Sequence, residues 1–228
     1  MGLGRGGKAS IGLLAAAVIA LTPPSAQAHP KPVLLLMHAG GFVFGSPGLE
    51  DRAAAHARAR GWRTEQLDYP LLNLTGAVSY CELAARVYGA GGRSVYAYGE
   101  SAGGTLAALL AERGDVSAAA VLSPVSSIPR FAATQPDPAF YLALIRATTR
   151  QAIDNSPAFH RSRRPILALV GEDDYPSIRA PTYRWAKRSP RVRARTVAGG
   201  HLGGPDSYGP AMRSGIGYLT QRYRRAGG

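Results

Sequence analysis

The protein is 228 residues long, 46% hydrophobic, and carries 27 Lys and Arg against 14 Asp and Glu, a formal charge of +13. Length and apolar content suit one compact domain and exclude disorder as a description of the whole; the 28 glycines and 17 prolines follow no G-X-Y period, which excludes collagen. The single Cys81 excludes an intrachain disulfide framework and any multi-cysteine metal or iron–sulfur site, and the charge invites a nucleic-acid partner.

Residues 1–28 stand apart. Arg5 and Lys8 precede an apolar run from Ile11 to Leu21, and Ala26-Gln27-Ala28 forms an A-x-A site. This is the layout of a secretory signal peptide, and the apolar run is too short to span a bilayer as an anchor. Cleavage after Ala28 is expected, leaving a domain of residues 29–228 outside the cell.

From there strands and helices alternate. Pro32 to Met37 is a continuous apolar run that reads as a strand buried on both faces. Residues 49–60 open with acids and close with arginines before Gly61, which suits a helix and its dipole. A strand is expected at 63–69, a helix at 74–89, a strand at 94–98 and a helix at 102–113 stopped by Gly114. Strands at 118–122, 166–170 and 191–197 follow, with helices at 175–188 and 207–224. The rhythm predicts an α/β fold with a mostly parallel sheet covered on both faces. Residues 124–164 break it. They hold five prolines, one expected helix at 139–151, and Phe131, Phe140 and Phe159, the composition of a short lid insert or pocket wall.

Gly99-Glu100-Ser101-Ala102-Gly103-Gly104 lies between a buried strand and an Ala/Leu-rich helix. This is G-x-S-x-G in its required strand–turn–helix context, with small flanks that let a strained serine project from the sheet edge. His38-Ala39-Gly40-Gly41-Phe42 follows the first buried strand, so the N–H groups of Gly40 and Gly41 can face that of Ala102 across a developing oxyanion. His38 itself reads as a structural histidine that ties down the loop. A serine nucleophile needs a base and an acid to orient it. Glu172-Asp173-Asp174 and His201 each follow a later strand, so they emerge on the same edge as Ser101. Adjacency leaves Asp173 and Asp174 equivalent on these grounds. Cys81 reads as a small core residue.

GESAGG with an upstream HAGGF resembles the α/β-hydrolase family, in its hormone-sensitive-lipase-like and carboxylesterase branches. The resemblance runs over residues 32–224 and implies Ser101 as nucleophile, His201 as base and Asp174 as the triad acid. It also implies an oxyanion hole of Gly40, Gly41 and Ala102, and no metal or organic cofactor. Asp68-Tyr69-Pro70 resembles the family's D-Y-R motif with Pro70 in place of arginine, and Ala39 stands where the first glycine of the loop is usual. With His29 so close to the first strand, the first two strands and the N-terminal cap of the lipase-like branch are expected to be missing. That leaves six strands ordered 4-3-5-6-7-8 in the family's labels, and an open site for short-chain or exposed polymeric esters.

The expected function is therefore a secreted serine carboxylesterase. An amidase, peptidase or acyltransferase on the same scaffold, or a non-catalytic binding protein of this fold, is the alternative. The charge is one-sided: residues 146–228 hold sixteen basic and five acidic side chains, net +11, while residues 29–145 are neutral. No helix-turn-helix, zinc finger or aromatic platform accompanies it, so nucleic acid is not the expected partner; a solvated basic face is the expected reading, and attraction to anionic cell-surface polymer or lipid headgroups is the alternative.

Overall fold

The structure is a computed structural model that describes residues 31–227; the segment read as a signal peptide lies outside the described residues. Six strands form one sheet: β1 (Val33–Met37), β2 (Arg63–Gln66), β3 (Val95–Glu100), β4 (Ala119–Leu122), β5 (Ile166–Gly171) and β6 (Val192–Val197). Their order is β2-β1-β3-β4-β5-β6, and every neighbouring pair is parallel. The four inner strands are buried at every position, as their largely apolar sequences demand, whereas β2 and β6 at the two edges carry exposed polar side chains.

Helices cover both faces. α2 (Leu74–Gly89), α3 (Ala102–Arg113) and α7 (Pro176–Arg188) pack on one, around a core that includes Leu35, Leu106 and the fully buried Trp185. α1 (Asp51–Arg58) and α8 (Gly204–Arg225) pack on the other, against Leu34, Tyr98 and Leu167. Local chemistry sets the helix ends. Asn73 caps α2 by accepting from the Gly76 N–H at 2.9 Å, and Gly114 closes α3 in the left-handed region. No described helix is long and apolar enough to cross a membrane.

Three expectations need correction. The second strand stops at Gln66, because Leu67 makes one last ladder bond to Leu36 before the chain turns into Asp68-Tyr69-Pro70. The last helix begins earlier, at Gly204. The single helix expected at 139–151 is two, α5 (Pro138–Leu144) and α6 (Thr149–Asp154), preceded by the short α4 (Ile128–Ala132). Arg146 turns left-handed at φ 49°, while the N–H groups of Arg146 and Ala147 reach back to Ala143 and Leu142. That is a Schellman stop made without glycine, and a Thr148–Gln151 capping box then starts α6.

The insert is not a detached flap. Ile128, Ile145, Ala152 and Ala158 are buried in the α3/α7 core, and the Leu74 N–H bonds Ile145 O at 2.9 Å. Strand order reverses between β1 and β3, since the chain steps to β2 on one side of β1 and to β3 on the other. Open α/β sheets place a crevice outside such a reversal, at the carboxyl ends of the strands. The HAGGF loop and Ser101 both leave the sheet there.

Candidate active site

The nucleophile elbow is held from three sides. Ser101 adopts φ 50°, ψ −114°, a conformation that costs a non-glycine residue about 1–3 kcal/mol. Its N–H donates to Leu122 O at 2.8 Å, and the Gly103 N–H donates to His38 O at 3.0 Å. A Cβ on Gly103 would lie 2.0 Å from Met37 O, so only glycine lets the start of α3 pass this close to β1.

The loop after β1 is shaped for an anion. Gly40 takes φ 131°, where a Cβ would overlap Phe44 O, and its own carbonyl accepts from Val43 and Phe44 to close a tight turn. Among the described residues, the backbone N–H groups of Gly40, Gly41 and Ala102 donate to no protein acceptor. Ala39 keeps a negative φ, so alanine costs nothing where the resemblance expects glycine. His38 is 1% exposed and stacks on Tyr69 with ring centroids 4.2 Å apart; the Tyr69 hydroxyl donates to His38 O at 2.7 Å. Burial lowers the His38 pKa, and Nε2 has no partner. This histidine pins the loop rather than facing Ser101.

The structure brings Ser101, His201 and Asp174 together. His201 Nε2 lies 3.0 Å from Ser101 Oγ, and Nδ1 lies 2.8 Å from Asp174 Oδ1. With the proton on Nδ1, the imidazole donates to the carboxylate and accepts from the serine hydroxyl. Asp174 is 3% exposed, and its Oδ1 also accepts from the Tyr175 N–H at 2.8 Å. Asp173 points to solvent; its N–H bonds Gly199 O. His201 sits in a sharp turn in which Leu202 has φ 60° and donates its N–H to Ser123 Oγ, and the Tyr175 ring covers it at 5.3 Å. His56 and His160 lie elsewhere, on α1 and at the end of the insert.

Behind the elbow is a polar cluster that sequence reading missed. The Tyr98 hydroxyl donates to Glu100 Oε1 at 2.8 Å. Burial raises the Glu100 pKa, against the opposing pull of the neighbouring Tyr208 and Tyr98 hydroxyls and of His201. Glu50 is fully buried with neither oxygen partnered; desolvation, then the charge of Glu100, pushes its pKa well up. Burial likewise raises the pKa of Cys81, as a core thiol requires.

A cavity of about 500 Å³ opens beside Gly40 and Gly41, walled by Val43, Phe44, Phe131 and Phe140. Tyr141 of the insert donates its hydroxyl to Gly41 O at 3.0 Å, so the insert braces the loop as well as lining the cavity. Phe159, the third phenylalanine of the insert, lies in a different depression beside Pro181 and Arg188. No group of three or more His, Cys, Asp or Glu among the described residues is arranged to hold a metal ion.

No protein-family model and no curated protein matches the sequence. Solved structures do. An esterase/lipase from an uncultured bacterium is 21% identical with a TM-score of 0.69, over 88% of this chain and 79% of that one. The hyperthermophilic esterase of Pyrobaculum calidifontis is 21% identical with a TM-score of 0.67, over 86% and 78%. A propionate-bound esterase of Thermogutta terrifontis is 20% identical with a TM-score of 0.68, over 91% and 87%. At this identity the likeness speaks for architecture alone: the six-stranded parallel sheet with helices on both faces has the α/β-hydrolase fold of these esterases.

Proposed function

We propose that the protein is a serine carboxylesterase that cleaves short-chain or exposed acyl esters. The observation that carries this reading is the continuous relay Asp174–His201–Ser101 at 2.8 and 3.0 Å, beside three unengaged backbone donors. Ser101 Oγ attacks the ester carbonyl as His201 Nε2 takes its proton, and Asp174 stabilises the imidazolium. The negative oxygen that forms is met by the N–H groups of Gly40, Gly41 and Ala102. His201 then protonates the leaving alcohol, and water attacks the acyl-enzyme by the same route.

The cavity beside Gly41 supports a small apolar acyl or alkyl group, since its walls are aromatic and aliphatic. It is wide open: Phe44 and Phe140 are 67% and 63% exposed, which favours an ester presented on a larger molecule over a buried long chain. The Thermogutta esterase among the structural neighbours is described with propionate bound, a short acyl group. The signal-peptide layout of residues 1–28 supports work outside the cell.

A fluorophosphonate probe, paired with chromogenic esters of graded chain length, tests this. Labelling of the wild type but not of Ser101→Ala is expected, with hydrolysis falling as the acyl chain lengthens. An unlabelled wild-type protein sinks the hydrolase reading.

A further inference from the structure

The excess positive charge has a definite place. β6 is an edge strand, and α8 packs over β4, β5 and β3, stopping short of it. Period-2 alternation turns Val192 toward the α7 core and Arg193 and Arg195 to the α8 side, with Arg191 in line just before the strand. On α8, Ser214, Tyr218, Gln221 and Arg225 fall at helical spacing on the face toward β6, with Arg222 one turn beyond Tyr218. Between the two elements lies a cleft of about 590 Å³ lined by all five of these arginines.

Three observations distinguish this cleft from an ordinary solvated face. No carboxylate lines it, and among the described residues none of the five guanidinium groups is ion-paired. The arginines converge: Arg222 and Arg193, from opposite walls, both lie close enough to Tyr218 to oppose the upward push that burial gives its hydroxyl pKa. The floor is kept open by Gly217, where a Cβ would meet nothing within 4 Å, so no packing constraint requires glycine. A helix C-terminus favours one or two basic residues, and an exposed edge strand favours charge. Neither accounts for five cations facing one another across a gap.

We propose that the cleft between β6 and α8 binds a linear polyanion, a flexible chain of phosphate or sulfate esters. Arg193 and Arg195 repeat at about 7 Å along the strand, a pitch at which single oxyanions on such a chain can each meet a guanidinium fork. The shape and composition of the cleft select this occupant over two others. A bilayer is flat and calls for apolar anchors, but none of the exposed large hydrophobic side chains lines this concave surface. Single-stranded nucleic acid calls for stacking platforms, and the one aromatic ring here, Tyr218, is half-buried. The cleft takes in the starts of β5 and β6, the opposite end of the strands from Ser101, so a bound chain tethers the protein and leaves the elbow free.

Binding to heparin and to a synthetic polyglycerol phosphate, measured by titration at rising salt, tests the proposal with the full-length protein. Wild type is expected to bind both, with affinity falling steeply between 50 and 500 mM salt (roughly the range over which screening tightens). Arg193→Gln with Arg195→Gln should weaken binding at least about tenfold. Gly217→Leu, which fills the cleft and keeps every charge, should weaken it comparably. Both variants should keep wild-type turnover of a small chromogenic ester, which separates this site from the reading of Ser101. Binding that survives both variants overturns the proposal, as does preference for anionic lipid vesicles or for single-stranded DNA over the two polymers.

Discussion

The carboxyl edge of the sheet and the flank of β6 are built in opposite ways. At the edge, backbone lies on backbone: Gly103 sits where a methyl group would collide with Met37 O, Ser101 is strained, and Asp174 and His201 are each fixed by two or more contacts. On the flank, function is carried by long side chains on regular elements, and Gly217 touches nothing with its missing Cβ. A site that must hold three groups to fractions of an ångström is made from turns the rest of the fold over-determines. A surface that need only gather charge can be made from a strand and a helix that would fold the same way without it.

The largest expected effect is at the edge and separates two neighbours. Asp174→Asn should lower kcat by about 10⁴-fold, because the imidazole loses the carboxylate that sets its tautomer and steadies its charge. Asp173→Asn should leave kcat within about twofold, since that side chain faces solvent and only its backbone N–H is used. Equal losses in the two variants would show that the relay seen in the structure is not the one that works.

Gly103→Ala comes next, and it is a loss of stability. The added methyl must displace β1 or the start of α3, a cost of about 3 kcal/mol for a small-to-large change in a packed core. Thermal unfolding should move down by about 6–12 °C for a domain of this size. An unchanged Tm would mean that the close approach of the elbow to β1 is not tight in solution.

Much of this edge was legible in the sequence, and the reason is topological. Ser101, the aspartates and His201 each follow a buried run, and a parallel sheet brings all such ends to one side. What was not legible needed packing over long separations. The Tyr141 bond to Gly41 O joins residues one hundred apart, and nothing local marks that tyrosine. Asp173 and Asp174 share every local signal, and the turn after β5 alone decides which is buried. The break at Arg146 carries neither glycine nor proline, although the Thr148–Gln151 capping box on its far side was there to be read. The flank was legible as charge but not as a cleft, because that depends on α8 stopping short of β6.

A pH series contrasts the charges of the two regions. Glu50, buried and unpartnered behind the elbow, has its pKa raised by desolvation and by Glu100, whose own pKa burial also raises. The folded state therefore holds protons that the unfolded chain releases near pH 4.5. Stability is fully present below that pH and declines as pH rises toward the folded pKa values. Glu50→Gln, with Tyr98 and Tyr208 still around Glu100, should raise Tm by a few degrees at pH 8 and by less at pH 5. No carboxylate lines the cleft on the flank, so that region adds no comparable slope. A variant whose gain is the same at pH 5 and pH 8 would contradict this assignment.

The smallest effect is also the sharpest contrast, because it is the same substitution with the opposite sign. Gly217→Ala adds its methyl to open space in the interior of α8, where the backbone is helical and no contact is strained. Alanine removes freedom from the unfolded chain and suits the helix better, so stability should rise by about 0.4–1 kcal/mol. Calorimetry should register that as a gain of about 1–4 °C, against the loss at Gly103. A loss at Gly217 would mean that something in the folded protein fills the cleft floor, and the flank would then be a packed interface rather than an open one. A gain leaves glycine there without a structural reason, and space for a bound chain becomes the reason that remains.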